Sequence, residues 1–217
     1  MKKLLLIVAL LVSQFGFAQK RFENEIKAFE KSDSLSMPAP KQILLVGSSS
    51  FRLWTTYKED LIGYSVINRG FGGSVMSDAN EYFERIVSKY QPKYILVYEG
   101  DNDIASGKSP ETVLEDFKIF VGKVKKQTPK ATVAYIAIRP SIARVKIVEQ
   151  QRKANQLIEA YCKSEKKLHF IDVQKHFYLP NGELMQDIFV ADKLHLNQKG
   201  YQIWTAAIKK YLAKHVK

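Results

Sequence analysis

Two segments far apart in this chain carry the residue types for nucleophilic chemistry: Gly47-Ser48-Ser49-Ser50, and Asp192-Lys193-Leu194-His195. A serine hydroxyl becomes a competent nucleophile when a neighbouring imidazole accepts its proton, and a carboxylate fixes the tautomer of that imidazole and stabilises its charged form. Asp192 and His195, three residues apart, can lie side by side on one turn. Two further segments are Gly-rich or polar, Gly70-Phe71-Gly72-Gly73 and Gly100-Asp101-Asn102-Asp103. Each motif has a plainer use, since serines cap helices, glycines make tight turns and Asn is an ordinary turn residue. Residue chemistry alone does not choose among the three serines. Asp172 and Asp187 are rival acids, but neither stands three before a histidine, and His169, His176 and His215 lack a matching acidic partner.

These segments gain meaning from the elements that must position them. Gln42-Ile43-Leu44-Leu45-Val46 reads as a buried strand ending at a Gly turn. Further strands are expected at residues 65–68, 94–98, 132–138 and 169–173. Helices are expected at about 21–31, ending before Ser32-Asp33-Ser34, and at 77–90, 110–127, 145–164 and 197–213. Ser109 is the expected cap and Pro110 the first-turn residue of the helix at 110–127. Five short apolar strands alternating with helices predict an α/β fold, a three-layer α/β/α sandwich around a parallel five-stranded sheet. Three of the motifs then follow strands at one sheet edge, where open α/β sheets bind ligands. Arg139-Pro140 closes the fourth strand at that edge, so Arg139 is a candidate substrate contact or, in the favoured reading, a structural ion-pair residue. Trp54 and Phe71 flank the motifs and are candidates to line a pocket, with core packing as the alternative.

A chain of 217 residues with 46% hydrophobic content suits one ordinary globular domain. Met1-Lys2-Lys3, an apolar stretch of about ten residues and Gly16-Phe17-Ala18 form a secretory leader pattern. The expected division is a signal peptide at 1–18 cleaved after Ala18, an N-terminal helix and Pro-containing linker at 19–40, and a catalytic domain at 41–217. The leader is shorter than the roughly 20 residues of a membrane span, so an exported, periplasmic or extracellular protein without a membrane anchor is expected. The one cysteine, Cys162, reads as a buried thiol. The net charge of +12 is spread over helix surfaces without an aromatic-interleaved basic stripe, which argues against nucleic acid as a partner. No metal-binding spacing such as His-Glu-x-x-His occurs, and no cofactor or metal is expected.

Taken together, the four motifs resemble the blocks of the SGNH, or GDSL-type, hydrolase family, over nearly all of the chain from about residue 41. Gly47-Ser48-Ser49 is similar to the family's Gly-Asp-Ser motif, Asn68 to Gly73 to its glycine block, Gly100 to Asp103 to its Gly-x-Asn-Asp block, and Asp192 to His195 to its Asp-x-x-His. The resemblance implies a flavodoxin-like fold with Ser49 as nucleophile, His195 as general base and Asp192 as the orienting carboxylate. It also implies an oxyanion hole from the Ser49 and Gly73 N–H groups and the Asn102 amide. Ser48 departs from the family's Asp and Ser50 from its usual Leu, which removes the label lipase but neither covalent role. There is no Gly-x-Ser-x-Gly elbow of the α/β-hydrolases. The expectation is a serine esterase for short acyl, chiefly O-acetyl, esters of small molecules or glycans. An O-acyltransferase to sugar hydroxyls, or a non-catalytic glycan-binding protein on the same fold, are the alternatives.

Overall fold

The computed structural model describes residues 21–216; the expected signal peptide at 1–18 lies outside the described residues. Its centre is an all-parallel sheet of β1 (Ile43–Gly47), β2 (Val66–Gly70), β3 (Tyr94–Tyr98), β4 (Thr132–Ile136) and β5 (Leu168–Ile171), in the order β2-β1-β3-β4-β5. Alternate side chains of each strand enter two separate cores. Leu44, Val46, Ile95, Val97, Val133 and Tyr135 face one, while Ile43, Leu45, Leu96, Tyr98, Ala134 and Ile136 face the other. Burial on both faces explains why β1, β3 and most of β4 read as unbroken apolar runs.

The helices divide between the two faces. α1 (Glu23–Leu35), α4 (Met76–Glu81), α5 (Phe83–Ile86), α7 (Pro110–Gln127) and α8 (Val148–Lys163) cover the first core. α2 (Ser49–Arg52), α3 (Tyr57–Asp60) and α9 (Gln198–His215) lie over the second through Phe51, Tyr57, Trp204 and Ile208, and α6 (Asp101–Ala105) follows β3. The chain thus leaves β1 towards one face and β3 towards the other. That reversal opens a crevice at the carboxyl ends of the two strands. Ser109 caps α7 by accepting from the Thr112 N–H at 3.1 Å, with Pro110 in the first turn, as the sequence predicts.

Three boundaries differ from the sequence expectation. α1 runs through Ser32-Asp33-Ser34 to Leu35, because Asp33 faces inward and its carboxylate takes a buried pair from Arg69 at 2.5 Å, with Tyr90 Oη and Lys89 Nζ also at 2.5 Å. The helix expected at 77–90 bends at Tyr82 and Val87 into α4, α5 and a 3-10 turn, Ser88–Tyr90. Its buried stripe of Phe83, Ile86, Val87 and Tyr90 survives both bends, so periodicity reports the inward face but not the change of axis. The helix expected from 145 begins as a 3-10 segment, Ile142–Ile147, and becomes α-helical at Val148.

Burial raises the Asp33 carboxyl, but the Lys89 and Tyr90 hydrogen bonds and the Arg69 charge outweigh it and hold the group ionised, below the ordinary range. Removing one partner of such a pair strands the other charge. Asp33→Ala should therefore lower the unfolding free energy by about 3–5 kcal/mol, measured as a fall in urea midpoint at unchanged m-value.

Candidate active site

β1 ends at Gly47, where a Cβ would lie 2.2 Å from the Tyr98 carbonyl oxygen of the neighbouring strand; only glycine allows this contact. The next three residues are serines with three different fates. Ser48 is buried and its carbonyl accepts the first N–H groups of α2. Ser50 is also buried: its hydroxyl accepts from Arg139 Nη2 at 3.3 Å, and its carbonyl accepts from Tyr201 Oη at 2.8 Å. Ser49 is left half-buried at the crevice, with Oγ 2.8 Å from His195 Nε2. The structure thus separates the serines that residue chemistry alone left equivalent.

His195 arrives from a short loop that returns from Phe189 to Leu196 as an antiparallel bridge. Asn197 closes it by capping α9, accepting from the Gly200 N–H at 3.1 Å and donating to the Asp187 carbonyl at 2.8 Å. Lys193, between Asp192 and His195, adopts a left-handed φ of 59°, which folds the segment back on itself. Asp192 Oδ1 then accepts from the Leu194 and His195 N–H groups at 2.8 and 2.9 Å, while Oδ2 meets His195 Nδ1 at 2.5 Å. Desolvation pushes this carboxyl upward. The His195 side-chain bond and the two backbone bonds overcome it and bring the group down to about 2. An ionised carboxylate can only accept, so Nδ1 carries a proton; in the neutral imidazole this tautomer leaves the Nε2 lone pair to accept from the Ser49 hydroxyl. Asp172 and Asp187 are engaged elsewhere, with the Gln174 N–H and Lys199. His169 pairs with Tyr211 Oη at 2.7 Å and lies with its ring tilted against His215, and Cys162 is buried, its thiol pushed up to about 12 by desolvation.

The three donor candidates stand on adjacent strand exits: Ser49 after β1, Gly73 after β2 and Asn102 after β3. The Ser49 and Gly73 N–H groups donate to no other group among the described residues. Gly73 holds φ at 81°, a conformation that favours glycine. Asn102 Nδ2 donates to the Ser74 carbonyl at 2.9 Å, leaving its second hydrogen for another acceptor, and Oδ1 accepts from Arg144 Nη2 at 2.8 Å. Beneath these loops Glu99 is fully buried and accepts from Ser74 Oγ at 2.5 Å. Desolvation, reinforced by Asp103, Asp78 and Asp101, raises its carboxyl well above the ordinary range despite the Ser74 bond.

The pocket reading of Trp54 and Phe71 and the substrate-contact reading of Arg139 are corrected. Trp54, Phe71 and Arg139 are 0%, 0% and 1% exposed, so none can line a substrate pocket. Trp54 stacks on Tyr201 and donates to Asp60, while Phe71 packs edge-on against Phe22 and Tyr82. Arg139 is structural, yet its partners are the Ser50 hydroxyl and the Leu194 carbonyl at 2.9 Å rather than a carboxylate; it ties the serine segment to the histidine loop. Sequence reasoning also missed the supports from α1's side. Arg21 Nη2 donates to the Gly73 carbonyl at 2.7 Å and Glu25 accepts from the Gly72 N–H at 3.2 Å, holding the peptide groups on either side of the one that carries the Gly73 N–H. Arg144 was missed as well, because it sits in what reads as an ordinary helix start.

The family model described as the GDSL-like Lipase/Acylhydrolase family matches residues 44–203. Platelet-activating factor acetylhydrolase IB subunit alpha1 of Bos taurus is 25% identical over 166 residues, 74% of this chain and 70% of the relative. A GDSL-like lipase from Bacteroides thetaiotaomicron VPI-5482 superposes with a TM-score of 0.73 at 21% identity, over 88% of this chain and 98% of that one. A carbohydrate esterase family 3 protein from Talaromyces cellulolyticus gives a TM-score of 0.65 at 14% identity, over 80% and 97% of the two chains. At these identities the solved structures establish a shared fold.

The raised Glu99 carboxyl has a measurable signature. The folded protein keeps its proton while the unfolded chain releases it above about pH 4.5. The unfolded state therefore binds fewer protons, and the stability from Glu99 is full below that pH and declines as pH rises towards the folded value. Glu99→Gln mimics the neutral acid and lacks this decline. Thermal unfolding from about pH 5 to pH 8 should shift steadily in favour of the Gln variant; a pH-independent gap would mean an ionised Glu99.

Proposed function

This chain belongs to the GDSL-like lipase/acylhydrolase family and is an ester-acting hydrolase, and we propose that Ser49 is its nucleophile, His195 its general base and Asp192 the carboxylate that orients the base. The observation that carries this reading is the continuous hydrogen-bonded line from Asp192 Oδ2 through the imidazole to Ser49 Oγ. Ser49 Oγ attacks the ester carbonyl carbon as its proton passes to His195 Nε2. The negative charge that develops on the carbonyl oxygen is met by the Ser49 and Gly73 N–H groups and the free Asn102 Nδ2 hydrogen. Collapse breaks the ester C–O bond, and His195 returns the proton to the departing alcohol. Water then attacks the acyl-Ser49 ester, giving its proton to His195, and the carboxylic acid leaves with Ser49 restored.

The substrate class we propose is short acyl esters, chiefly O-acetyl groups, including those on carbohydrate. Two things support it. Phe51, Trp54, Tyr98 and Trp204 pack ring against ring beneath the serine segment, so side chains rather than an open channel fill that side of it. Neighbours of the same fold include a carbohydrate esterase and an acetyl esterase. We further propose that the enzyme acts after export, on the strength of the leader pattern at residues 1–18.

Protein recovered after export, with an expected first residue of Gln19, is the material for the test. Ser49→Ala and His195→Ala should each lower aryl acetate hydrolysis by about 10⁴-fold or more. Ser48→Ala and Ser50→Ala should keep the chemistry. Rates should fall from acetate to octanoate esters. Full activity in Ser49→Ala, or a preference for octanoate, would refute the corresponding part of the reading.

A further inference from the structure

The structure assigns Arg144 as a positioning residue for the oxyanion site: it holds the Asn102 amide in the one orientation that presents an N–H to substrate. The inference rests on the Ser49 esterase reading and adds to it a group remote from the nucleophile. Arg144 lies in the 3-10 segment Ile142–Ile147, at a non-helical φ of −122° and ψ of 22°. From there its guanidinium reaches back to the first turn of α6. Nη1 donates to the Asp101 carbonyl at 2.6 Å and pairs with Asp101 Oδ1 at 3.0 Å, while Nη2 donates to Asn102 Oδ1 at 2.8 Å. Asp101 is itself fixed by Gln151 Nε2 at 2.7 Å. The Arg144 side chain is 17% exposed, so solvent only partly screens its charge.

The physical need for such a group lies in the amide. A primary amide is nearly symmetric in shape, and a half-turn exchanges its oxygen and nitrogen. With the oxygen turned inward, Asn102 would set an acceptor against the developing oxyanion and repel it. Arg144 forbids that state, because a guanidinium carries donors only and the turned amide would face it with NH₂. The Ser74 carbonyl enforces the same choice from the other side. Arg144 does more than Ser74, since a cation on Oδ1 draws electron density from the amide and strengthens Nδ2–H as a donor. The same strap touches the histidine loop, where the Ala143 N–H donates to the Lys193 carbonyl at 3.1 Å.

A double-mutant cycle on the full mature chain tests this with an aryl acetate. Removing Asn102 by Asn102→Ala should cost about 10²–10³-fold in kcat. Arg144→Gln should lower kcat by about 10–100-fold, a fraction of that donor's worth, with KM changed by less than about 3-fold. In the Asn102→Ala background the same Arg144→Gln change should cost less than about 3-fold, because there is no amide left to hold. Arg144→Lys keeps a cation near Asp101 without the planar fork and should fall between wild type and Arg144→Gln; it carries the same cycle if the Gln variant does not fold. An equal loss in both backgrounds, or a loss confined to KM or to thermal stability, overturns the inference. Ser49→Ala separates the two readings: if it stays active the esterase reading fails, whereas if it is inactive and the cycle is additive only the role of Arg144 fails.

Discussion

The 2.8 Å hydrogen bond between Ser49 Oγ and His195 Nε2 joins residues 146 apart in sequence, and the fold can be understood as the means of closing that distance. Tethering two side chains across so much chain has an entropic cost that no single hydrogen bond offsets. The sheet offsets it. β1 sits between β2 and β3, with Gly47 in register with Gly70 on one side and Tyr98 on the other, so three motif-bearing loops emerge side by side. α9 packs Trp204 and Ile208 on the same face as Phe51 and Trp54, which brings the loop before it to the serine. Hydrophobic burial on both sheet faces thus fixes what the polar contacts only finish.

A second layer of contacts holds the polar groups still. Ser50 and Arg139 anchor the chain beside Ser49, whose hydroxyl has His195 as its partner among the described residues. Arg21 and Glu25 hold the peptides around Gly73, and Arg144 with the Ser74 carbonyl holds Asn102. Donors fixed before substrate arrives need no reorganisation as charge develops, which is how such groups contribute most. The supports come from the N-terminal helix, from the β4 exit and from the 3-10 strap. Their reach explains why α1, which precedes the stretch matched by the family model, is bound to the domain by the buried Asp33–Arg69 pair.

The parts legible in sequence were those encoded locally. Apolar runs marked β1, β3 and β4 to within two residues or so, because burial on both faces leaves almost no polar interruption, while β2 and β5 were legible despite Asn68, Arg69 and His169. Asp192 and His195 were legible because three-residue spacing places them on one turn. What was not legible depends on distant partners. Ser49 differs from Ser48 and Ser50 only in which way the turn after Gly47 aims it. Trp54 and Phe71 have the composition of pocket residues and the position of core ones, and only packing distinguishes them. Arg144 contacts residues 42 and 43 positions away through a bend that apolar periodicity cannot register. A cation soon after the Arg139-Pro140 strand exit was the one available hint.

The most direct test of Ser49 as the nucleophile is to treat the enzyme with a fluorophosphonate and map the adduct by peptide mass spectrometry. A single stable phosphonyl group on Ser49, absent from His195→Ala treated in parallel, is the predicted result. An adduct on Ser48 or Ser50, or none on an enzyme that continues to hydrolyse esters at full rate, would contradict it.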